Sequence, residues 1–230
     1  MIANYVSVAE SHIEILDVET GSTTGFNLQP EGSAPIAYRG AAWSADGRGL
    51  FIISDEESEF QRLRHWNLDT NDQTVLTADI PWDVGGLTTS RDRKALAFTV
   101  NESGRSALYV MDADTRQFTR VQDLPLGVIG GLEFSADGSR LGFSLGTPQT
   151  SGDVYALELG SGAIERWTES EVGGLDTSEF VEPELIEWRR HLHQNPELGF
   201  EEEETSAFVR AWLQEQRFTV RGPMAKTGFY

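Results

Sequence analysis

The sequence predicts a mainly β protein: a partial β-propeller of about 3.5 four-stranded blades, followed by a short α-helical or αβ segment. Three observations predict it. A Ser-x-Asp phrase recurs from Ser44 to Ser90 to Ser135, at spacings of 46 and then 45 residues. Each copy is followed by a short apolar run, and later by a second phrase that ends in a tight turn. Near Glu187 the apolar pattern changes from period two to period 3.6.

The first phrase reads Ala42-Trp43-Ser44-Ala45-Asp46-Gly47-Arg48 before Leu50-Phe51-Ile52-Ile53. It returns as Thr89-Ser90-Arg91-Asp92-Arg93-Lys94 before Ala95-Leu96-Ala97-Phe98, and as Phe134-Ser135-Ala136-Asp137-Gly138-Ser139-Arg140 before Leu141-Gly142-Phe143. Ser-x-Asp-Gly supplies a side-chain oxygen for turn N–H groups and a glycine for positive φ, which joins two strands. Alternating segments such as Ala107–Asp112 suit a third strand. The second phrase turns that strand into a fourth, as at Met111-Asp112-Ala113-Asp114-Thr115 before Phe118–Val121. Its other copies are Leu68-Asp69-Thr70, Leu157–Gly162 and Leu16-Asp17-Val18-Glu19-Thr20-Gly21. The last has no Ser-x-Asp partner before it, so the chain is expected to open part-way through a unit. Four strands in about 45 residues is the size of a propeller blade. A β-sandwich needs no such fixed period.

Composition narrows the function. The chain has 230 residues, 39% of them hydrophobic, with 23 Gly, 8 Pro and no Cys, so disulfides and thiolate metal sites are excluded. The formal net charge of −19 argues against nucleic acid, which is bound through clustered Lys and Arg, and against anionic membranes. No run approaches the roughly 18 apolar residues of a membrane span. The N-terminus lacks the basic flank and apolar stretch of a signal peptide, so a cytoplasmic protein is expected. Only Lys94 and Lys226 are lysines. A salt-loving source and a GC-rich genome both fit that bias, and neither bears on the fold. Residues 1–186 carry 30 acids against 12 bases, whereas residues 187–230 carry 7 against 6. That shift suggests two segments of different origin, with domains at 1–183 and 184–230.

The repeated units resemble the propeller domain of the prolyl oligopeptidase family of serine peptidases, and more loosely the TolB-type propellers. Ser178-Glu179-Phe180-Val181-Glu182-Pro183-Glu184-Leu185-Ile186 is similar to the segment where such peptidases leave the propeller for their hydrolase domain. The resemblance implies a domain that gates substrate access, while a separate hydrolase domain supplies Ser, Asp and His. No Gly-x-Ser-x-Gly elbow is present; Gly104-Arg105-Ser106-Ala107-Leu108 lacks the final glycine and falls in a hairpin. His12 and His65 fall in strand-like or inter-strand positions and read as ordinary surface or packing residues. No catalytic, cofactor-binding or metal-binding residue is assigned.

Beyond Glu187, Leu185, Trp188 and Leu192 fall on one helical stripe. After the break at Asn195-Pro196, Phe208, Val209, Trp212 and Leu213 fall on another. Phe218-Thr219-Val220 then reads as a strand and Lys226-Thr227-Gly228 as a turn. The string Trp188-Arg189-Arg190-His191-Leu192-His193-Gln194-Asn195-Pro196-Glu197-Leu198-Gly199-Phe200-Glu201-Glu202 resembles the opening of the metal-dependent amidohydrolases that include aminoacylases and related carboxypeptidases. That resemblance implies two divalent metals, zinc or manganese, with ligands and general base that all lie downstream of such an opening. His191 and His193 are a poor chelate, because helical positions i and i+2 point roughly 200° apart. Glu201 to Glu204 reads as a solvated helix start, where acids meet the positive end of the helix dipole.

The expectation is a fragment or fusion of two hydrolase parents, joined near Ile186-Glu187 and non-catalytic as it stands, with open sheet edges able to self-associate. The alternative is a metal-dependent amidohydrolase completed by sequence or chains beyond this one. A small binding module using the open propeller face is a third possibility, with no ligand indicated.

Overall fold

A computed structural model describes residues 2–7, 9–26, 34–177, 180, 197–198, 201–222 and 228. The chain separates into two compact units, Met1–Pro183 and Glu184–Tyr230.

The first unit is a run of antiparallel meanders. β1 (Ile2–Ser7), β2 (Glu10–Leu16) and β3 (Thr23–Phe26) form a three-stranded sheet. Three four-stranded sheets follow. The second sheet is β4 (Tyr38–Trp43), β5 (Gly49–Ser54), β6 (Arg62–Asn67) and β7 (Gln73–Val75). The third is β8 (Asp83–Thr89), β9 (Ala95–Glu102), β10 (Arg105–Asp112) and β11 (Phe118–Arg120). The fourth is β12 (Val128–Phe134), β13 (Arg140–Thr147), β14 (Thr150–Glu158) and β15 (Ile164–Arg166). The sheets run in sequence order, and the first strands β4, β8 and β12 are neighbours from one sheet to the next. This is the partial propeller that the repeat predicts, with the strand boundaries that the two turn phrases imply.

The packing explains why the second strands of the two inner sheets, β5 and β9, are largely apolar. Successive side chains of a strand point to opposite faces. Leu50 and Ile52 therefore enter the seam with the first sheet, beside Ile13, Tyr38 and Trp66. Phe51 and Ile53 enter the next seam, beside Leu96, Phe98 and Met111. In the third sheet Ala97 and Leu108 face forward, against Phe134, Leu141, Phe143 and Leu145. The second and third sheets are thus held from both sides, and the core is a series of seams between successive sheets.

In the second unit, α1 (Glu203–Glu215) places Phe208, Val209, Trp212 and Leu213 on its half-buried stripe and leaves Ala207 and Ala211 exposed. The strand expected at Phe218–Val220 is not formed. Arg217 adopts φ 64°, and the Phe218 N–H returns to the Leu213 carbonyl at 2.9 Å. The helix is closed by this left-handed turn, and the β-prone side chains after it pair with no described strand. The helix expected over 185–192, the join at Ile186-Glu187, His191, His193 and Lys226-Thr227 lie outside the described residues.

Phe98 is fully buried, stacked 5.1 Å from Tyr109 and edge-on to Phe118 at 5.5 Å. Phe98→Ala is expected to cost about 3–5 kcal/mol in urea denaturation, because the two flanking sheets cannot collapse onto the space it leaves.

Candidate functional site

The polar side chains of the repeat work on the backbone. Ser44 Oγ donates to Asp46 at 2.5 Å and accepts the Gly49 N–H at 2.9 Å, while Asp46 also accepts the Arg48 N–H at 2.9 Å. The same set returns at Ser90 with Asp92 and at Ser135 with Asp137, both with serine-to-aspartate bonds of 2.7 Å. The serine hydroxyl, and after it the turn N–H groups, hold the Asp46, Asp92 and Asp137 carboxyls below the usual carboxylate range, and Asp137 falls to about 2. The second phrase works alike: the side chains of Asp17, Asn67 and Asp112 each accept N–H groups two and three residues on. Glu158, at the fourth such position, instead pairs with Arg140 at 2.8 Å.

The residues weighed for catalysis are placed apart from one another's chemistry. Ser106 lies on β10, and its hydroxyl accepts the Ile129 N–H at 3.0 Å, tying the third sheet to the fourth. His12 sits on β2 with Nε2 3.3 Å from Glu10. His65 is buried on β6, edge-on to Phe51 at 5.2 Å. Among the described residues, no group of three or more His, Asp or Glu comes together in a way that could hold a metal ion. The described residues therefore do not fit the metals implied by the second resemblance.

Two recesses are lined by described residues. One, of about 220 Å³, is bounded by Arg105, Arg120 and Leu124; both arginines are engaged with Glu102, at 3.5 and 2.8 Å. The other, of about 510 Å³, opens on the face of the fourth sheet. Its floor is small because Gly142 and Ala156 stand opposite each other in register. Glu133 faces Gly142 from β12, and the recess is also lined by Trp167, whose indole N–H donates to Glu165 at 3.0 Å. An aromatic ring over a small-residue floor with carboxylates at the rim can hold a ligand. Its hydroxyl from Ser135 is already given to Asp137.

Two positions escaped the sequence reading. Asp153 is buried at 1% exposure and holds the chain after β15 in place, through Arg166 at 2.7 Å and the Ser170 N–H at 2.7 Å. Burial raises its pKa, but these bonds and one from Thr168 outweigh it. Glu197 caps α1 from outside the helix, accepting the N–H of Glu204 at 2.9 Å and of Thr205 at 2.6 Å. These bonds and that of the Thr205 side chain hold its carboxyl below the ordinary value. Glu203 and Glu204 occupy the first turn as the dipole favours.

No family model matches the chain. In fold it is similar to a prolyl endopeptidase (TM-score 0.60, 13% identity, 74% of this chain and 24% of that one) and to puromycin hydrolase (TM-score 0.60, 17% identity, 76% and 26%). TolB from Acinetobacter baumannii gives a TM-score of 0.52 at 21% identity, over 69% of this chain and 38% of that one. In sequence the chain is 48% identical over 50 residues to N-acetyl-L-cysteine deacetylase of Bacillus subtilis (strain 168), covering 22% of this chain and 12% of the relative. It is 52% identical over 44 residues to an IAA-amino acid hydrolase of Arabidopsis thaliana, covering 19% and 10%. Both suspected resemblances are supported, the first through the fold and the second through a short stretch. The chain spans only about a tenth of the length of these curated relatives.

Two outcomes follow from the turns and the cap. The Asp137 carboxyl is lowered in the fold, so its stabilisation is present above the unfolded value of about 3.9 and is lost as pH falls towards about 2. Asp137→Asn should flatten that part of the acid-unfolding profile measured by fluorescence. Glu197→Ala should speed amide exchange at Glu204 and Thr205 and leave exchange in β9 and β13 unchanged.

Proposed function

We propose that the 230-residue chain is a non-catalytic product of two hydrolase parents, whose propeller part serves as an accessory, substrate-gating domain of the serine-peptidase kind. The observation that carries this reading is the use made of the repeat's serines and aspartates. Ser44, Ser90 and Ser135 are each bonded to the aspartate two residues on and to the backbone that the turn closes. A hydroxyl held in that way is a structural group, and catalysis of peptide cleavage needs a nucleophile free to meet its base. The stacked sheets then act by shape, as a wall beside a hydrolase centre. We also propose a cytoplasmic setting, no nucleic-acid or membrane partner, and self-association through open sheet edges. No described helix is long and apolar enough to cross a membrane.

The second reading is a metal-dependent amidohydrolase acting on acyl-amino-acid amides, completed by further sequence or another chain. It is favoured by the 44-to-50-residue stretches of about one-half identity to relatives named as deacetylases and amino acid hydrolases.

The purified chain is expected to turn over neither an acylated amino acid nor a peptide ester. Acyl-amino-acid hydrolysis abolished by a chelator would overturn this in favour of the amidohydrolase. Ester cleavage blocked by a serine-reactive phosphonate would establish a peptidase instead.

A further inference from the structure

The third sheet carries two arginines where its neighbours carry glycine or asparagine. Arg93 (φ 61°) stands where the other Ser-x-Asp turns have Gly47 (φ 68°) and Gly138 (φ 73°). Arg116 (φ 61°) stands where the second phrase has Gly21, Asn71 and Gly162, all at positive φ. Left-handed backbone is strained for a side chain of this kind, so the geometry asks what the arginines do. Both reach back to the second sheet. Arg93 Nη1 lies 3.5 Å from the Ser44 carbonyl, and Arg116 Nη2 lies 3.5 Å from His65 Nε2.

The second sheet is shaped to receive this contact. The His65 ring lies against Gly49, where an added Cβ would come within 2.6 Å of Nε2. The equivalent positions of the next two sheets hold Ala95 and Arg140. For Arg116 to donate, Nε2 must carry a lone pair, so the imidazole is neutral with its proton on Nδ1. A proton on Nε2 removes the acceptor and sets two cations against each other. The charged groups acting on the ring are Arg116, from the β10–β11 turn, and Asp46, from the β4–β5 turn. Burial and Arg116 lower its affinity for a proton, and Asp46 opposes them.

We propose that Arg93 and Arg116 latch the third sheet onto the second, and that His65 makes the latch acid-sensitive, closed when its ring is neutral and loosened when it takes a proton. Because the folded value is depressed, the unfolded chain takes the proton first. The latch is therefore intact above about pH 6.5 and weakens as pH falls below it. This device is independent of any catalytic reading of the chain.

The test is a histidine-ring NMR titration of the intact chain. His65 should titrate below the ordinary value of about 6.5, and Arg116→Gly, which suits the left-handed turn, should raise its midpoint. Amide exchange in β8 and β11, corrected for intrinsic rates, should rise several-fold between about pH 7.5 and pH 5.5. His65→Gln keeps an acceptor for Arg116 but cannot take the proton, and should abolish that rise. A ring that titrates at the ordinary value and is unmoved by Arg116→Gly overturns the latch, as does a full exchange response in His65→Gln.

Discussion

Everything in the first unit depends on the division of neighbouring side chains between two seams. In β5 and β9, each residue faces the sheet opposite to the one its neighbour faces, and nearly all are apolar; in β13 Leu141, Phe143 and Leu145 face the single seam with the third sheet. Leu50, Ile52, Ile53, Leu96, Phe98 and Leu141 are fully excluded from solvent as a result. A one-residue slip of register would exchange the contents of both seams at once. The turns must therefore fix register with little play, and this is the work of the Ser-x-Asp phrase: one hydroxyl and one carboxylate close the turn between first and second strands in three sheets.

This division also explains what was legible in the sequence. The turn phrases were visible because they need particular atoms: an oxygen two bonds from the backbone, and a residue tolerant of positive φ. The strands after Ser44 and Ser90 were visible because burial on two faces leaves few polar residues in them. By contrast, Asp153 looks like a surface acid, but its register places it opposite Leu145, on the core side of β14. Its partners lie 13 to 17 residues away, beyond the range of a local pattern. Glu197 escaped for a related reason. A cap is sought in the residue before the helix, Glu202, which makes no side-chain capping bond, whereas the carboxylate that accepts the N–H groups belongs to Glu197, 7 and 8 residues before its partners. Phe218–Val220 misled because β propensity records how a side chain packs on a sheet, and no described strand lies beside it.

The fourth sheet departs from the pattern in one consistent direction. The face that holds Phe51 and Ile53 in the second sheet, and Ala97 and Thr99 in the third, holds Gly142 and Ser144 here. Its turn residue Glu158 has abandoned the backbone for Arg140. The recess beside Trp167 is the direct result, since small side chains leave the volume that larger ones fill in the other sheets. The same substitutions remove apolar area from the face.

Departures from the repeat carry more functional information than the repeat itself. Where a turn keeps glycine, backbone conformation alone accounts for the residue. Where it keeps the left-handed conformation but carries arginine, the fold tolerates a strain that glycine would relieve, and some gain elsewhere must offset it. Arg93 and Arg116 meet that condition in the same sheet, and both aim at the same neighbour, which has given up a side chain at position 49 to seat His65. Three independent exceptions to one pattern, meeting at one seam, are hard to account for by turn chemistry, because each makes its own turn or strand worse. They are accounted for by a contact between sheets that the seam's apolar packing does not provide: one with a direction, a hydrogen-bond acceptor and a dependence on protonation.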